Sequence, residues 1–162
     1  MPTHPHYPTP PKDVPDYRTI MESFAAYVEA DRPKLDSPGE VAALLRPLLS
    51  GKAQEECHVL LLDVKNRLIR DETVTVGLVD RSQLHPREVF RAAIRENCSR
   101  IILAHGHPSG DATPSAQDMQ VTRQLAEAGK ILGIEVVDHV IIGRKSPSRE
   151  RDYVSLREAG EM

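Results

Sequence analysis

The stretch IILAHGHPSGDATPSAQDMQVTRQLAEAGKILGIEVVDHVII, residues 101–142, decides the fold class of this 162-residue chain. Its apolar start, 101–104, has the length and composition of a buried strand, and 134–142 predicts a second strand. Between them, residues 115–131 predict a helix that Gly133 ends. Its apolar side chains have helical spacing and are expected to be buried: Val121, Leu125, Ala128 and Leu132. Strand, helix and strand in this order predict an α/β fold.

The flanking sequence extends this pattern. Towards the N-terminus, the apolar run 57–64 predicts a strand buried on both faces, and the alternation in 68–76 predicts its antiparallel hairpin partner. A helix is expected to start at Pro86 and to bury Val89, Phe90, Ala93 and Ile94. Residues 153–156 predict an edge strand. We therefore expect a three-layer arrangement in which helices flank a mixed sheet.

Three segments are expected along the chain. Residues 1–16 contain six of the thirteen prolines and predict an extended, flexible arm. Residues 17–50 predict a helical N-terminal segment, and residues 51–162 predict the α/β domain.

Within the helical segment, the apolar spacing predicts one helix over 17–30 and a short helix after the breaker Asp31-Arg32-Pro33. A further helix is expected after Ser37, with Pro38 in its first position. Its buried stripe is predicted to contain Val41, Leu44, Leu45 and Leu48.

Composition excludes several classes of protein. The chain is 40% hydrophobic and 28% charged, with a net charge of −3, which argues against disordered, collagenous and membrane proteins. We expect a cytoplasmic protein without a membrane partner, because the sequence has no apolar signal core and no apolar run of bilayer length. Cys57 and Cys98 lie in apolar stretches and are expected to be reduced core thiols.

Metal-ligating residue types cluster after the strand 101–104. His105 and His107 are two residues apart and can bind one ion from the same side, and Asp118 follows in the first turn of the next helix. Two histidines and one aspartate leave a fourth tetrahedral position open, which is the composition of a catalytic zinc site. One Zn²⁺ per chain would lower the pKa of a water to about 7 and polarise a carbonyl oxygen.

The same residues permit other interpretations. Ser115 and Asp118 have the spacing of a capping box at the start of a helix. Iron also binds to two histidines and a carboxylate, so ligand types alone leave the metal open. His139 is either a partner of a metal ligand or an ordinary core histidine.

The pattern His105-x-His107-x7-Ser115-x2-Asp118 resembles that of JAMM (MPN+) metalloproteases, and the flanking sequence resembles the RadC family. The likeness runs from about residue 54 to the end. It includes the motifs Glu55-Glu56-Cys57-His58, His85-Pro86-Arg87-Glu88, Asp138-His139-Val140-Ile141-Ile142-Gly143 and Tyr153-Val154-Ser155. The chain resembles a short form of RadC without a clear helix-hairpin-helix domain, and the resemblance implies a JAMM/MPN, cytidine-deaminase-like architecture.

This resemblance implies roles for individual residues. His105, His107 and Asp118 would bind zinc, and Ser115 would hydrogen-bond the water or the developing oxyanion. A glutamate at the start of the first core strand would be the general base, which we place at Glu55. Glu56 is the alternative, because side chains alternate along a strand.

The chain departs from the family pattern at two places. Relatives read His-Asn-His where this chain has Gly106, and both residue types tolerate a positive φ, so we expect an unusual backbone conformation there. The family's Gly-Thr-x-Asn segment is replaced by residues 77–80, with the sequence Gly-Leu-Val-Asp.

Two functions are predicted. The first is zinc-dependent hydrolysis of peptide or isopeptide bonds in a peptide or protein substrate. The alternative is a DNA-repair-associated factor, in which the basic helical stripe Arg87, Arg91 and Arg95 contacts phosphates and the metal is structural or nucleolytic.

Overall fold

The structure is a computed structural model that describes residues 16–76 and 84–162. The chain separates into two compact units, of which the first ends at Arg32 and the second begins at Pro33. The described part of the first unit is helix α1, Tyr17–Ala30, which confirms the predicted helix. Asp16 caps this helix by accepting the backbone N–H of Thr19 at 2.8 Å. The predicted arm lies outside the described residues, except for Asp16.

The described elements of the second unit are an initial helix followed by five strands with two helices among them. They are α2 Pro38–Leu49, β1 Glu56–Leu62, β2 Leu68–Val76, α3 Pro86–Arg95, β3 Arg100–Gly106, α4 Ala116–Leu132, β4 Glu135–Ile142 and β5 Tyr153–Ser155. The described strands form a five-stranded sheet in the order β2-β1-β3-β4-β5. Strands β3 and β4 are parallel and connected by α4, whereas the other pairs are antiparallel. The predicted α/β fold with a mixed sheet is confirmed.

The sheet is buried on both faces. On one face, Val59 and Leu103 belong to a core that also contains buried residues of α3 and α4. On the other face, Leu60 and Ala104 pack in a second core with buried residues of α2. Apolar residues alternate between these cores along β1, which explains its nearly continuous apolar sequence. The helices on both faces give the expected three layers.

Helix α2 belongs to the second unit because it packs on the sheet. Ser37 and Glu40 form a capping box at its start, and Pro38 occupies its first turn, as predicted. Val41 and Leu45 are buried in the core on that face. The unit therefore begins at Pro33, whereas the sequence placed the start of the α/β domain at residue 51.

Several apolar positions predicted to be buried are exposed. Leu48, Ile94 and Leu132 all lie in the last turn of their helices and are 49%, 58% and 47% exposed, respectively. Val64 is also exposed, because β1 ends at Leu62 and the chain turns. The helical and strand periodicities were predicted correctly, but the ends of the elements extend beyond the core.

The predicted short helix after the breaker is wrong. Lys34 forms an isolated bridge with Arg67, and Leu35 donates its N–H to the main-chain oxygen of Asn66 at 2.9 Å. The backbone of this segment therefore pairs with the turn between β1 and β2 instead of with itself.

Both cysteines are buried thiols, as predicted. Burial raises the pKa of Cys57 to about 12, so this thiol stays protonated at neutral pH. In the described part of the chain, every helix is too short or too polar to span a bilayer.

Candidate metal centre

Three elements bring the predicted site residues together. His105 lies near the end of β3 and His107 follows this strand, whereas Asp118 lies in the first turn of α4. Glu55 directly precedes β1. Because β1 runs antiparallel to β3 and pairs Cys57 with His105, the start of β1 lies beside the end of β3.

The two histidines face each other. The distance between Nε2 of His105 and Nε2 of His107 is 2.9 Å. Oε1 of Glu55 lies 3.4 Å from Nε2 of His105 and 3.8 Å from Nε2 of His107. The carboxylate of Asp118 has the same two separations, 3.4 Å from Oδ1 to His105 and 3.8 Å from Oδ2 to His107.

These separations fit a small divalent cation. Ligand atoms at the usual zinc bond lengths are about 3.3 Å apart in a tetrahedral site, which lies within the observed range of separations. Imidazole nitrogen and carboxylate oxygen are ligand types that zinc accepts. The ligand atoms of Glu55, His105 and His107 all lie within 4.8 Å of one another, so these three side chains could hold a metal ion.

Burial distinguishes the two carboxylates. The side chain of Asp118 is 1% exposed, whereas that of Glu55 is 17% exposed. Asp118 also accepts two hydrogen bonds from Ser115 through Oδ2, one from the backbone N–H and one from the hydroxyl, both at 2.7 Å. Asp118 is therefore held in one position, and Glu55 is nearer to solvent.

Ser115 is the N-cap of α4. Its Oγ accepts the backbone N–H of Asp118 at 3.1 Å and donates its hydrogen to Asp118 Oδ2, which completes the capping box considered in the sequence. The helix N-terminus also favours the negative charge of Asp118. In this geometry the hydroxyl hydrogen of Ser115 points to Asp118.

Glu56, the alternative base, faces away from the histidine pair. Its carboxylate lies 3.0 Å from Nζ of Lys52 and 3.5 Å from Nε2 of His58. The proximity of Lys52, against the effect of burial, lowers the pKa of Glu56. The alternation of side chains along β1 thus directs Glu55, and not Glu56, towards His105 and His107.

Two buried residues, His139 and Thr122, form a chain of hydrogen bonds to Nδ1 of His105. Nδ1 of His105 lies 2.8 Å from Nε2 of His139, and Nδ1 of His139 lies 2.6 Å from Oγ1 of Thr122. His139 is thus a partner of a predicted ligand, one of the two interpretations left open by the sequence. Thr122 was missed, although it lies one helical turn after Asp118 and therefore on the same side of α4.

The loop after β3 supports His107. Nδ1 of His107 donates to the main-chain oxygen of Asp111 at 2.5 Å. Arg149 binds the side chain of Asp111 at 2.6 Å and the main-chain oxygen of Gly110 at 3.2 Å. Gly143 allows this loop to approach, because a Cβ at this position would lie 2.8 Å from the backbone nitrogen of Ala112.

The expected unusual backbone at Gly106 is wrong. The described residues with positive φ do not include it. A side chain would instead be crowded, because a Cβ at Gly106 would lie 3.3 Å from Cδ1 of Leu49. The other departure from the family pattern, residues 77–80, lies outside the described residues.

A groove of about 480 Å³ lies beside His107. Its lining includes the cationic side chains of Arg46, Lys52, Arg144 and Lys145. Arg46 forms a bidentate ion pair with Asp152 across the groove wall, at 2.5 and 2.9 Å. The groove is large enough to hold an extended molecule beside the candidate metal centre.

The remaining predicted residues lie on α3. Arg87, Arg91 and Arg95 are exposed, as expected for a stripe that repeats every four residues. Arg95 lies 3.6 Å from Glu96. His85 precedes the helix as its N-cap and makes no side-chain capping hydrogen bond.

Comparisons with known proteins identify the family of this chain. A family model described as "RadC-like JAB domain" matches residues 35–161. A UPF0758 protein of Methanosarcina mazei is 41% identical over 141 residues, which cover 87% of this chain and 59% of that relative. A UPF0758 protein of Chloroflexus aggregans is 48% identical over 130 residues, which cover 80% of this chain and 54% of that relative.

The chain thus spans between 54% and 59% of the length of these two relatives. The family model nevertheless covers the whole sheet together with α2, α3 and α4. Since this match extends over most of the chain, the chain belongs to the family of RadC-like JAB domains.

Proposed function

We propose that this chain is a zinc-dependent hydrolase of peptide or isopeptide bonds. The observation that supports this proposal best is the convergence of four side chains from three elements. Carboxylate oxygens of Glu55 and Asp118 lie within 3.8 Å of the Nε2 atoms of both histidines. These two Nε2 atoms, of His105 and His107, are 2.9 Å apart. The carboxylates of an ordinary surface cluster are exposed to water, whereas Asp118 is deeply buried.

In this proposal, His105, His107 and Asp118 hold the cation. Asp118 is the third ligand because it is buried and immobilised by Ser115, whereas Glu55 lies at the edge of the cluster. When bound, the ion supplies Lewis acidity, which polarises a carbonyl oxygen and makes a water more acidic.

Glu55 is the general base. As a water attacks the carbonyl carbon of the substrate, Oε1 of Glu55 takes the proton that the water loses. The same oxygen then delivers this proton to the leaving nitrogen as the carbon–nitrogen bond breaks. The partial exposure of Glu55 suits this exchange, because the carboxylate can contact water while it stays 3.4 Å from His105.

Ser115 contributes first by positioning Asp118. Its hydroxyl has one hydrogen, which is donated to Asp118 Oδ2 at 2.7 Å. The oxyanion role that the family resemblance implies would require this hydrogen to turn towards the substrate. The groove beside His107 would accept the substrate chain.

Metal analysis tests this proposal directly. We expect the purified protein to retain close to one zinc per chain after dialysis and His107→Ala to lose it. His85→Ala is the matched control, because His85 is exposed and lies outside the cluster. The zinc-loaded protein should cleave members of a mixture of fluorescence-quenched peptides, and removal of zinc by a chelator should stop the cleavage. Equally negligible zinc in all three proteins would refute the proposal.

A further inference from the structure

We propose that Thr122 and His139 form a positioning relay that fixes the tautomer of His105. The relay would keep the proton of His105 on Nδ1 and the lone pair of Nε2 directed at the metal centre. The inference rests on the proposed function for its purpose, and it is tested by zinc affinity and by the positions of ring hydrogens instead of by cleavage.

The first direction follows from the chemistry of Thr122. Its Oγ1 lies 2.6 Å from the main-chain oxygen of Asp118, which can only accept a hydrogen bond. The single hydrogen of the Thr122 hydroxyl is therefore donated to Asp118. The oxygen of this hydroxyl is left as an acceptor for its second neighbour.

The second direction follows for His139. Its Nδ1 lies 2.6 Å from Oγ1 of Thr122 and must donate, because the hydroxyl hydrogen is already used. A neutral ring that carries its hydrogen on Nδ1 has a lone pair on Nε2.

The third direction concerns the ligand. Nε2 of His139 lies 2.8 Å from Nδ1 of His105. When a cation occupies Nε2 of His105, the ring hydrogen is on Nδ1 and is donated to His139. Neutral His105 then has its lone pair on Nε2, which is the atom that lies 3.4 Å from both Glu55 and Asp118. This is the form of histidine that binds a cation without first losing a proton.

The relay joins two ligands of the proposed centre. It starts at the main-chain oxygen of Asp118 and ends at His105, whose Nε2 faces the carboxylate of the same Asp118. His107 is supported separately, since its Nδ1 donates directly to Asp111. Loss of the relay should therefore affect His105 and leave the support of His107 intact.

A pair of substitutions at Thr122 tests the relay. Thr122→Val has nearly the same shape but no hydroxyl, whereas Thr122→Ser keeps the hydroxyl. In competition with a chromophoric chelator, we expect Thr122→Val to bind zinc about 10- to 100-fold more weakly than the wild-type, and Thr122→Ser to bind zinc as the wild-type does. Equal zinc affinities of the valine and serine variants would overturn the relay.

The hydrogen-bond directions are measured on the zinc-loaded wild-type protein. The ¹⁵N shifts of the His139 ring should show a hydrogen on Nδ1 and an acceptor nitrogen at Nε2, as required for a ring that donates to Thr122 and accepts from His105. A hydrogen on Nε2 of His139 would refute the relay even if Thr122→Val failed to fold. Zinc binding without cleavage, together with the expected shifts, would refute the proposed function and leave the relay standing.

Discussion

Glu55 and Asp118 lie at the same two distances, 3.4 and 3.8 Å, from the two histidine nitrogens of the candidate centre. Glu55 reaches both nitrogens with Oε1, whereas Asp118 reaches one with Oδ1 and the other with Oδ2, so these distances alone do not identify the third ligand. The two carboxylates differ in support, because Ser115 and the N-terminus of α4 immobilise Asp118, while Glu55 precedes a strand and is nearer to solvent. From this difference we propose that Asp118 binds the cation and Glu55 transfers the proton, and the proposal can be tested by removing one charge at a time.

We expect Glu55→Gln to retain zinc and to lose amide cleavage by at least about 100-fold, the contribution typical of a general base. Asp118→Asn should lose zinc and cleavage together, since it removes the charge of a ligand. Zinc content and the cleavage rate of the same preparations decide between these roles. Loss of zinc in Glu55→Gln, with retention in Asp118→Asn, would reverse the assignment. Glu56→Gln is the matched control, because Glu56 pairs with Lys52 away from the centre.

Ser115→Ala should lower both stability and zinc affinity. The loss of an N-cap costs about 1 kcal/mol in the free energy of unfolding, and Asp118 also loses the hydroxyl that holds Oδ2. Ser37→Ala is the internal control, because Ser37 forms the other capping box, at the start of α2. It should cost similar stability without a change in zinc affinity. Urea denaturation and chelator competition measure the two effects, and an unchanged zinc affinity in Ser115→Ala would contradict the positioning role.

Arg149→Met should weaken zinc binding about tenfold with little effect on stability. Arg149 holds Asp111 and Gly110, and the main-chain oxygen of Asp111 holds the ring of His107. Arg151→Met is the control, because Arg151 forms a comparable exposed ion pair with Glu158 at 2.9 Å. If both variants bind zinc as the wild-type does, the loop holds His107 without help from Arg149.

Stability should depend on pH through His58. Burial alone would lower the pKa of this histidine, but the hydrogen bond and charge of Asp71 at 2.8 Å, aided by Glu56, raise it. A raised pKa in the folded state adds stability that is fully present below the unfolded-state value of about 6.5 and is lost as the pH rises through the higher folded-state value.

Asp71→Asn should therefore destabilise the protein more at about pH 5.5 than at about pH 8.5. Urea denaturation of the wild-type and of this variant across that range measures the difference in the free energy of unfolding. A difference that stays constant with pH would show that His58 does not carry the effect.

The DNA-associated alternative predicts binding through Arg87, Arg91 and Arg95, which are exposed on α3. If each arginine contacts one phosphate, replacing all three by glutamine should reduce the dependence of log affinity on log salt by about 2.7. Arg123→Gln is the control, because Arg123 is exposed on another helix. Fluorescence anisotropy with a labelled duplex measures this slope. Absence of binding by the wild-type at low salt would exclude the alternative.

Local sequence was sufficient to predict the described strands, the four described helices and the proximity of His105, His107 and Asp118, although it also predicted a short helix near residue 34 that does not form. These three residues lie within one strand–loop–helix segment, so their proximity depends on short-range geometry. Glu55 is distant in the chain, and only the resemblance to a family indicated it. The choice of Glu55 over Glu56 then depended on which of the two side chains lies on the same side of the sheet as His105. The antiparallel pairing of β1 with β3 determines this.

The support of His105 required knowledge of strand register. The parallel pairing of β3 and β4 places His139 opposite Leu103, two residues before His105 on the same face of the sheet. No periodicity within a single strand contains this information. The exposed Leu48, Ile94 and Leu132 show a related limit, since helical spacing identifies the buried face but not where the sheet beneath it ends.

Gly143 gives the candidate centre an unusual dependence on a residue that has no functional group. Its missing side chain lets the segments around residues 110 and 143 lie against each other, and Arg144 N–H donates to the main-chain oxygen of Gly110 at 2.8 Å. In a saturation mutagenesis experiment, position 143 should thus tolerate glycine alone, because any Cβ would push the two backbone segments apart.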